Sequence, residues 1–107
     1  MAVPELSVQE LKRRLDAGEK LIVLDVREPW EVALARLPHI VHIPLGQLPA
    51  RLQELQPETE IVAMCKSGGR SRRAAEFLTS RGFGRVANLA GGIDAWTREI
   101  DPSLSSY

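Results

Sequence analysis

Cysteine occurs once in these 107 residues, at Cys65, so no internal disulfide can hold the fold. Histidine occurs twice, at His39 and His42, which leaves no evident structural zinc site and points any chemistry of Cys65 to a reactive thiol rather than a metal ligand. Neither sign of charge is in excess: 14 basic and 14 acidic side chains give a formal net charge of zero, which argues for neither nucleic-acid nor membrane partners. No segment reaches the run of about 18 to 20 apolar residues that crosses a bilayer. The opening MAVPELSVQELKRR also lacks a positively charged leader ahead of an apolar stretch. The expected location is therefore the cytoplasm, or another soluble compartment reached without a cleaved leader. Repeats and low-complexity linkers are missing too, so one domain is expected over residues 1–107, with DPSLSSY (101–107) as a polar tail carrying Tyr107 as a candidate aromatic anchor.

What is present is an ordinary globular composition, 44% hydrophobic, arranged in alternating strand and helix patterns. SVQELKRRLDAG reads as a helix: Ser7 is placed to cap it, Glu10 sits at the capping-box position, and Val8, Leu11 and Leu15 share one face before Gly18. A short strand around Glu5 and Leu6 precedes it. The run LIVLDV (21–26) suits a strand buried on both faces. Pro29 opens a short helix bearing Trp30, Val32 and Leu34, and HIVHIP (39–44) is a strand closed by Pro44. Leu48, Leu52 and Leu55 have helical spacing up to Pro57. EIVAM (60–64) is a strand, RSRRAAEFLTSRG (70–82) a helix ended by a left-handed Gly82, and VANLA (86–90) a further strand; Ile93, Trp96 and Ile100 mark a last helical face. This alternation predicts an α/β domain with a parallel sheet and right-handed crossovers.

Cys65 stands where EIVAM gives way to CKSGGRS. In parallel α/β domains the crevice beyond the carboxyl ends of the strands is the usual ligand site. Ser67, Gly68 and Gly69 can turn their amides inward, and together with the free donors of the following helix they make an anion cradle. Lys66, Arg70, Arg72 and Arg73 add positive charge. Such surroundings lower a cysteine pKa from about 8.5 to between roughly 3.5 and 7.5, so the thiolate needs no general base. The plainer alternative is a buried, inert cysteine beside a solvated turn. Two chemistries suit the cradle, attack on phosphorus and attack on sulfane sulfur. Arg70 closes the loop with four residues between it and Cys65, whereas a longer loop would close on Ser71, which lacks the bidentate fork suited to phosphate oxygens. The short loop favours the sulfur-centred group.

Other residues carry weaker signals. Arg27 could attract an anionic donor while Asp25 fixes nearby backbone, or the two could form a structural pair. Glu28 and Glu31 read as helix-start or surface acids, and Trp30 and Trp96 as packing anchors or rim contacts. His39 and His42, three apart on a short strand, fall on opposite faces and do not make a metal pair.

LDVREPWE (24–31), HIPL (42–45), CKSGGRS (65–71) and LAGGIDAW (89–96), in that order, resemble the single-domain rhodanese, or thiosulfate sulfurtransferase-like, family. The resemblance implies a three-layer fold with a central five-stranded parallel sheet, order 1-5-4-2-3, flanked by helices. It implies Cys65 as the catalytic residue and Lys66, Ser67, Gly68, Gly69 and Arg70 as the loop that binds substrate and persulfide; Ser71, which ends the same motif, and Arg27, from its place at the end of the second strand, are further candidates. It also implies a small anionic sulfur donor such as thiosulfate, an acceptor that is cyanide, a thiol or a sulfur-carrier protein, and no cofactor. The chain departs from the family pattern GHIPGAxNIPL with ARLPHIVHIPL: Arg36 replaces a common histidine and His39 a common glycine. The ending WTREIDPSLSSY resembles the tail of rhodanese domains attached to enzymes that activate sulfur carriers. A non-catalytic protein-binding module and a small cysteine phosphatase or arsenate reductase stand as the alternatives.

Overall fold

The computed structural model describes residues 3–107. Strand β1 (Glu5–Leu6) leads into helix α1 (Val8–Asp16), whose cap is Ser7: its Oγ accepts the Glu10 amide at 3.1 Å. Then follow β2 (Ile22–Asp25), α2 (Pro29–Leu34), β3 (Ile40–His42), β4 (Ile61–Met64), α3 (Gly69–Ser80), β5 (Val86–Leu89) and α4 (Gly92–Glu99). The turn into β3 places His39 at φ 56°, a left-handed conformation that glycine adopts at less cost. Between β3 and β4 the leucine spacing predicted a helix, and the structure instead has two 3-10 turns, Leu45–Gln47 and Leu52–Glu54. The two turns still bury Leu48 and Leu55 and pack Leu52 on the same core, so the leucine spacing is met without a continuous α-helix.

All five strands are parallel in the order β1-β5-β4-β2-β3. Every residue of the central β4 is buried, and its side chains alternate between two cores. Ile61, Ala63 and then Cys65 face Ala74 and Leu78 of α3, while Val62 and Met64 face Leu11 of α1 and Trp96 of α4. The layers are thus α3 with the 3-10 turns, the sheet, and α1 with α4. Asp25 pairs with Met64 in register, so β2 and β4 end level and deliver Arg27 and Cys65 to the same edge of the sheet. No helix among the described residues is long and apolar enough to cross a membrane.

Candidate active site

Cys65 is 1% exposed, yet it is not enclosed by apolar atoms alone. Its Cβ side packs in the α3 core, and its sulfur turns toward the loop. The Gly68 amide donates to Sγ at 3.1 Å, and Ser71 Oγ lies 3.3 Å from the same sulfur. Gly68 can aim its amide this way because it sits at φ 116°, in the left-handed region, and hands the chain to α3. Burial works to raise the thiol pKa, and the Ser71 hydroxyl with the amides of Ser71, Gly68 and Ser67 outweighs it, leaving Cys65 more acidic than an ordinary cysteine.

The carbonyl side of the cysteine is held by the next helix. The Ile93 and Asp94 amides at the start of α4 donate to the carbonyls of Cys65 (2.9 Å) and Lys66 (3.0 Å). So close an approach requires Gly92, where a Cβ would stand 2.4 Å from the Lys66 oxygen and 2.5 Å from that of Cys65. The motif GGIDAW therefore pins the peptide that carries Cys65.

The basic side chains of the loop reach carboxylates rather than sulfur. Lys66 Nζ donates to both oxygens of Asp94 at 3.1 Å, with the Tyr107 ring centroid 5.0 Å away. Arg70 forms a two-pronged pair with Glu31 at 2.6 and 2.9 Å. Glu31 is thus no surface acid: it is 3% exposed and also accepts from the Glu28 amide and the Tyr107 hydroxyl. Arg70, against the opposing effect of burial, draws the Glu31 pKa down to about 2. Negative charge on Cys65 is consequently met by main-chain donors and one hydroxyl, with Arg70 contributing at longer range.

Of the two readings of Arg27, the structure shows the pair with Asp25. Arg27 is fully buried, and its guanidinium is enclosed by the Asp25 carboxylate (2.7 Å), the Ala35 carbonyl (2.8 Å) and the Tyr107 hydroxyl (2.9 Å). It ties the end of β2 to α2 and the tail. Of the two tryptophans, Trp96 is buried, whereas Trp30 is 62% exposed and meets the Tyr107 ring edge-on at 5.8 Å. His42 Nε2–H donates to the Arg27 carbonyl at 2.7 Å. Two surface clefts of about 470 and 370 Å3 are lined by other parts of the chain and include no residue of the cysteine loop. Sequence reasoning missed the buried Asn88, which bonds Ser71, Gly68 and Glu5; the available signal was an amide side chain inside the apolar run of β5.

The rhodanese-like domain family matches residues 7–99. The chain belongs to the rhodanese family. Among relatives of this rhodanese, the sulfurtransferase of Allochromatium vinosum is 38% identical over 103 residues, covering 96% of each chain. The Bacillus subtilis (strain 168) protein YrkF, named as a candidate sulfur carrier, is 42% identical over 100 residues; the match takes in 94% of this chain but only 54% of YrkF, so this rhodanese spans about half of that relative. In solved structures, the human single-domain sulfurtransferase TSTD1 superposes with a TM-score of 0.84 at 27% identity, over 92% of this chain and 98% of TSTD1.

Proposed function

We propose that this rhodanese is a sulfurtransferase that carries sulfane sulfur on Cys65. The observation that carries this reading is the sulfur itself, set at the end of β4 and receiving the Gly68 amide at 3.1 Å with the Ser71 hydroxyl at 3.3 Å. The Cys65 thiolate attacks the outer sulfur of thiosulfate; a new S–S bond forms, the old one breaks, and sulfite departs with its electron pair. The outer sulfur of the persulfide then bears the negative charge and faces the loop of Lys66 to Ser71. Cyanide or a thiolate, free or carried by an acceptor protein, attacks that sulfur, takes it, and returns Cys65 as thiolate. No external oxidant, metal or cofactor enters the balance. Preorganised amides suit this cycle because the charge moves by one bond length without requiring the site to rearrange. A nucleophile that must return to the thiolate after each turnover also suits a reducing compartment such as the cytoplasm.

A protein acceptor is the use favoured by the surface beside the loop. Trp30 and Leu34, one turn apart on α2, are both exposed, and Tyr107 links Trp30 to Lys66 of the loop. The sulfur-carrier name of YrkF and the sulfurtransferase name of the A. vinosum relative support the same direction.

The test is mass spectrometry of protein incubated with thiosulfate and no reductant. The expected product is one sulfur atom heavier at the Cys65 peptide, is discharged by cyanide, and is absent from Cys65→Ser. A chain that stays unmodified while hydrolysing an aryl phosphate would instead place it with the cysteine phosphatases.

A further inference from the structure

Asn88 is 1% exposed in the middle of β5, and the steps above give it no part. Its amide orientation is fixed by what surrounds it. Nδ2 faces three acceptors, the Gly68 carbonyl at 3.1 Å and the two Glu5 carboxylate oxygens at 3.1 and 3.3 Å, so the nitrogen belongs on that side. Oδ1 then points the other way, 2.6 Å from Ser71 Oγ.

Ser71 Oγ consequently lies between two acceptors, Asn88 Oδ1 at 2.6 Å and Cys65 Sγ at 3.3 Å, and a hydroxyl has one proton. If it donates to Asn88, the sulfur loses that donor. If it donates to sulfur, Asn88 Oδ1 is left buried without one, which is unfavourable.

We propose that Asn88 is a positioning residue for Cys65, acting through Ser71: it competes for the single hydroxyl proton and turns Ser71 into a rotor. The hydroxyl faces sulfur while negative charge sits on Sγ. It swings back to Asn88 when that charge leaves Sγ, whether by protonation or by formation of a persulfide whose charge lies on the outer atom. The persulfide half of this cycle rests on the proposed sulfur transfer; the competition concerns only the ionisation of Cys65. Asn88 thereby moderates the thiolate and makes it easier for charge to leave Sγ at the moment of transfer.

The experiment is the pH profile of Cys65 alkylation by iodoacetamide, with no sulfur donor present, in the native chain, Asn88→Val, Ser71→Ala and the double variant. Removing the competing acceptor is expected to lower the midpoint by about half to one pH unit, the size of one neutral hydrogen bond expressed as a pKa shift. The same substitution is expected to do nothing further once Ser71 is alanine. An unchanged or raised midpoint in Asn88→Val, or a fall of equal size in the Ser71→Ala background, overturns the proposal. If circular dichroism shows Asn88→Val unfolded, Glu5→Ala, on the edge strand, releases one side of the amide instead; the expected fall is smaller and again vanishes with Ser71→Ala, and any other result counts against the rotor. Failure of Cys65 to take sulfur from thiosulfate would remove the proposed function and leave this titration standing, so the two failures are distinguishable.

Discussion

The loop arginine shows how far a single side chain's role depends on its partner. Arg70 is placed by the sequence at the closing position of CKSGGRS, and taken alone it would be an anion binder. Its fork instead holds Glu31, 39 residues away, in a pair that bridges the cysteine loop to α2. Glu31 is drawn to about 2 chiefly by Arg70, from the 4.5 of an unperturbed glutamate. Because its pKa is lower in the fold, the contact contributes fully above about pH 4.5 and is lost as pH falls toward 2. Glu31→Gln is therefore expected to lower the unfolding free energy from urea titration near neutral pH by on the order of 2 kcal/mol, allowing for solvent at the partly exposed Arg70. The difference from the native chain should shrink as the pH falls through that window; a difference independent of pH would show that the carboxylate charge is not what matters. Cys65 was legible in the sequence because its strand, glycines and basic neighbours are contiguous. Glu31 keeps the helix-start role its position implies, accepting the Glu28 amide, but its burial and its pair with Arg70 are not legible because those partners come from distant segments.

At the scale of elements, the helix that holds the Cys65 peptide is not the one that follows it. α3 supplies the loop's end, but α4 carries the amides that grip the Cys65 and Lys66 carbonyls, and Gly92 makes that approach feasible at φ 58°. Gly92→Ala is expected to cost more than about 2 kcal/mol, from the left-handed backbone and the forced displacement of two carbonyls. It should also slow sulfur transfer by tenfold or more in the folded protein, since displacing the Cys65 backbone misplaces Sγ. Gly84→Ala, with open space around its Cβ and no positive φ, is the control and should change stability by less than about 0.5 kcal/mol. Equal effects in urea titration and thiosulfate turnover would refute the close-approach argument. Strands and helices were legible where apolar runs and caps coincide, as at Ser7 and in β4. The segment carrying Leu48, Leu52 and Leu55 is less legible, because two 3-10 turns bring those leucines to one core as an α-helix would, and spacing alone does not separate the two.

Across the whole molecule, the sheet edge that presents Cys65 is tied together by one buried cation. Arg27 leaves β2 beside its Asp25 pair, reaches the Ala35 carbonyl beyond α2, and meets the hydroxyl of Tyr107, 80 residues along the chain. Tyr107 in turn donates to Glu31, so the tail joins the same web as the Arg70 pair. The motif LDVREPWE makes Arg27 visible but not its destination, because two of the groups that enclose it, the Ala35 carbonyl and the Tyr107 hydroxyl, lie outside that motif: a donor-binding arginine and a buried tie look alike in sequence. The two roles separate in the laboratory. As a tie, Arg27→Met leaves Asp25 charged and fully buried without its partner, which costs about 3 to 5 kcal/mol, while Tyr107→Phe removes one hydroxyl from the web and costs about 1 to 2 kcal/mol. Urea midpoints should fall in that order, and KM for thiosulfate in the folded fraction should stay within a factor of two or so of the native value for both. A KM that climbs severalfold in Arg27→Met while the urea midpoint holds would mean that the guanidinium meets the donor after all, with the enclosure around it opening during the reaction.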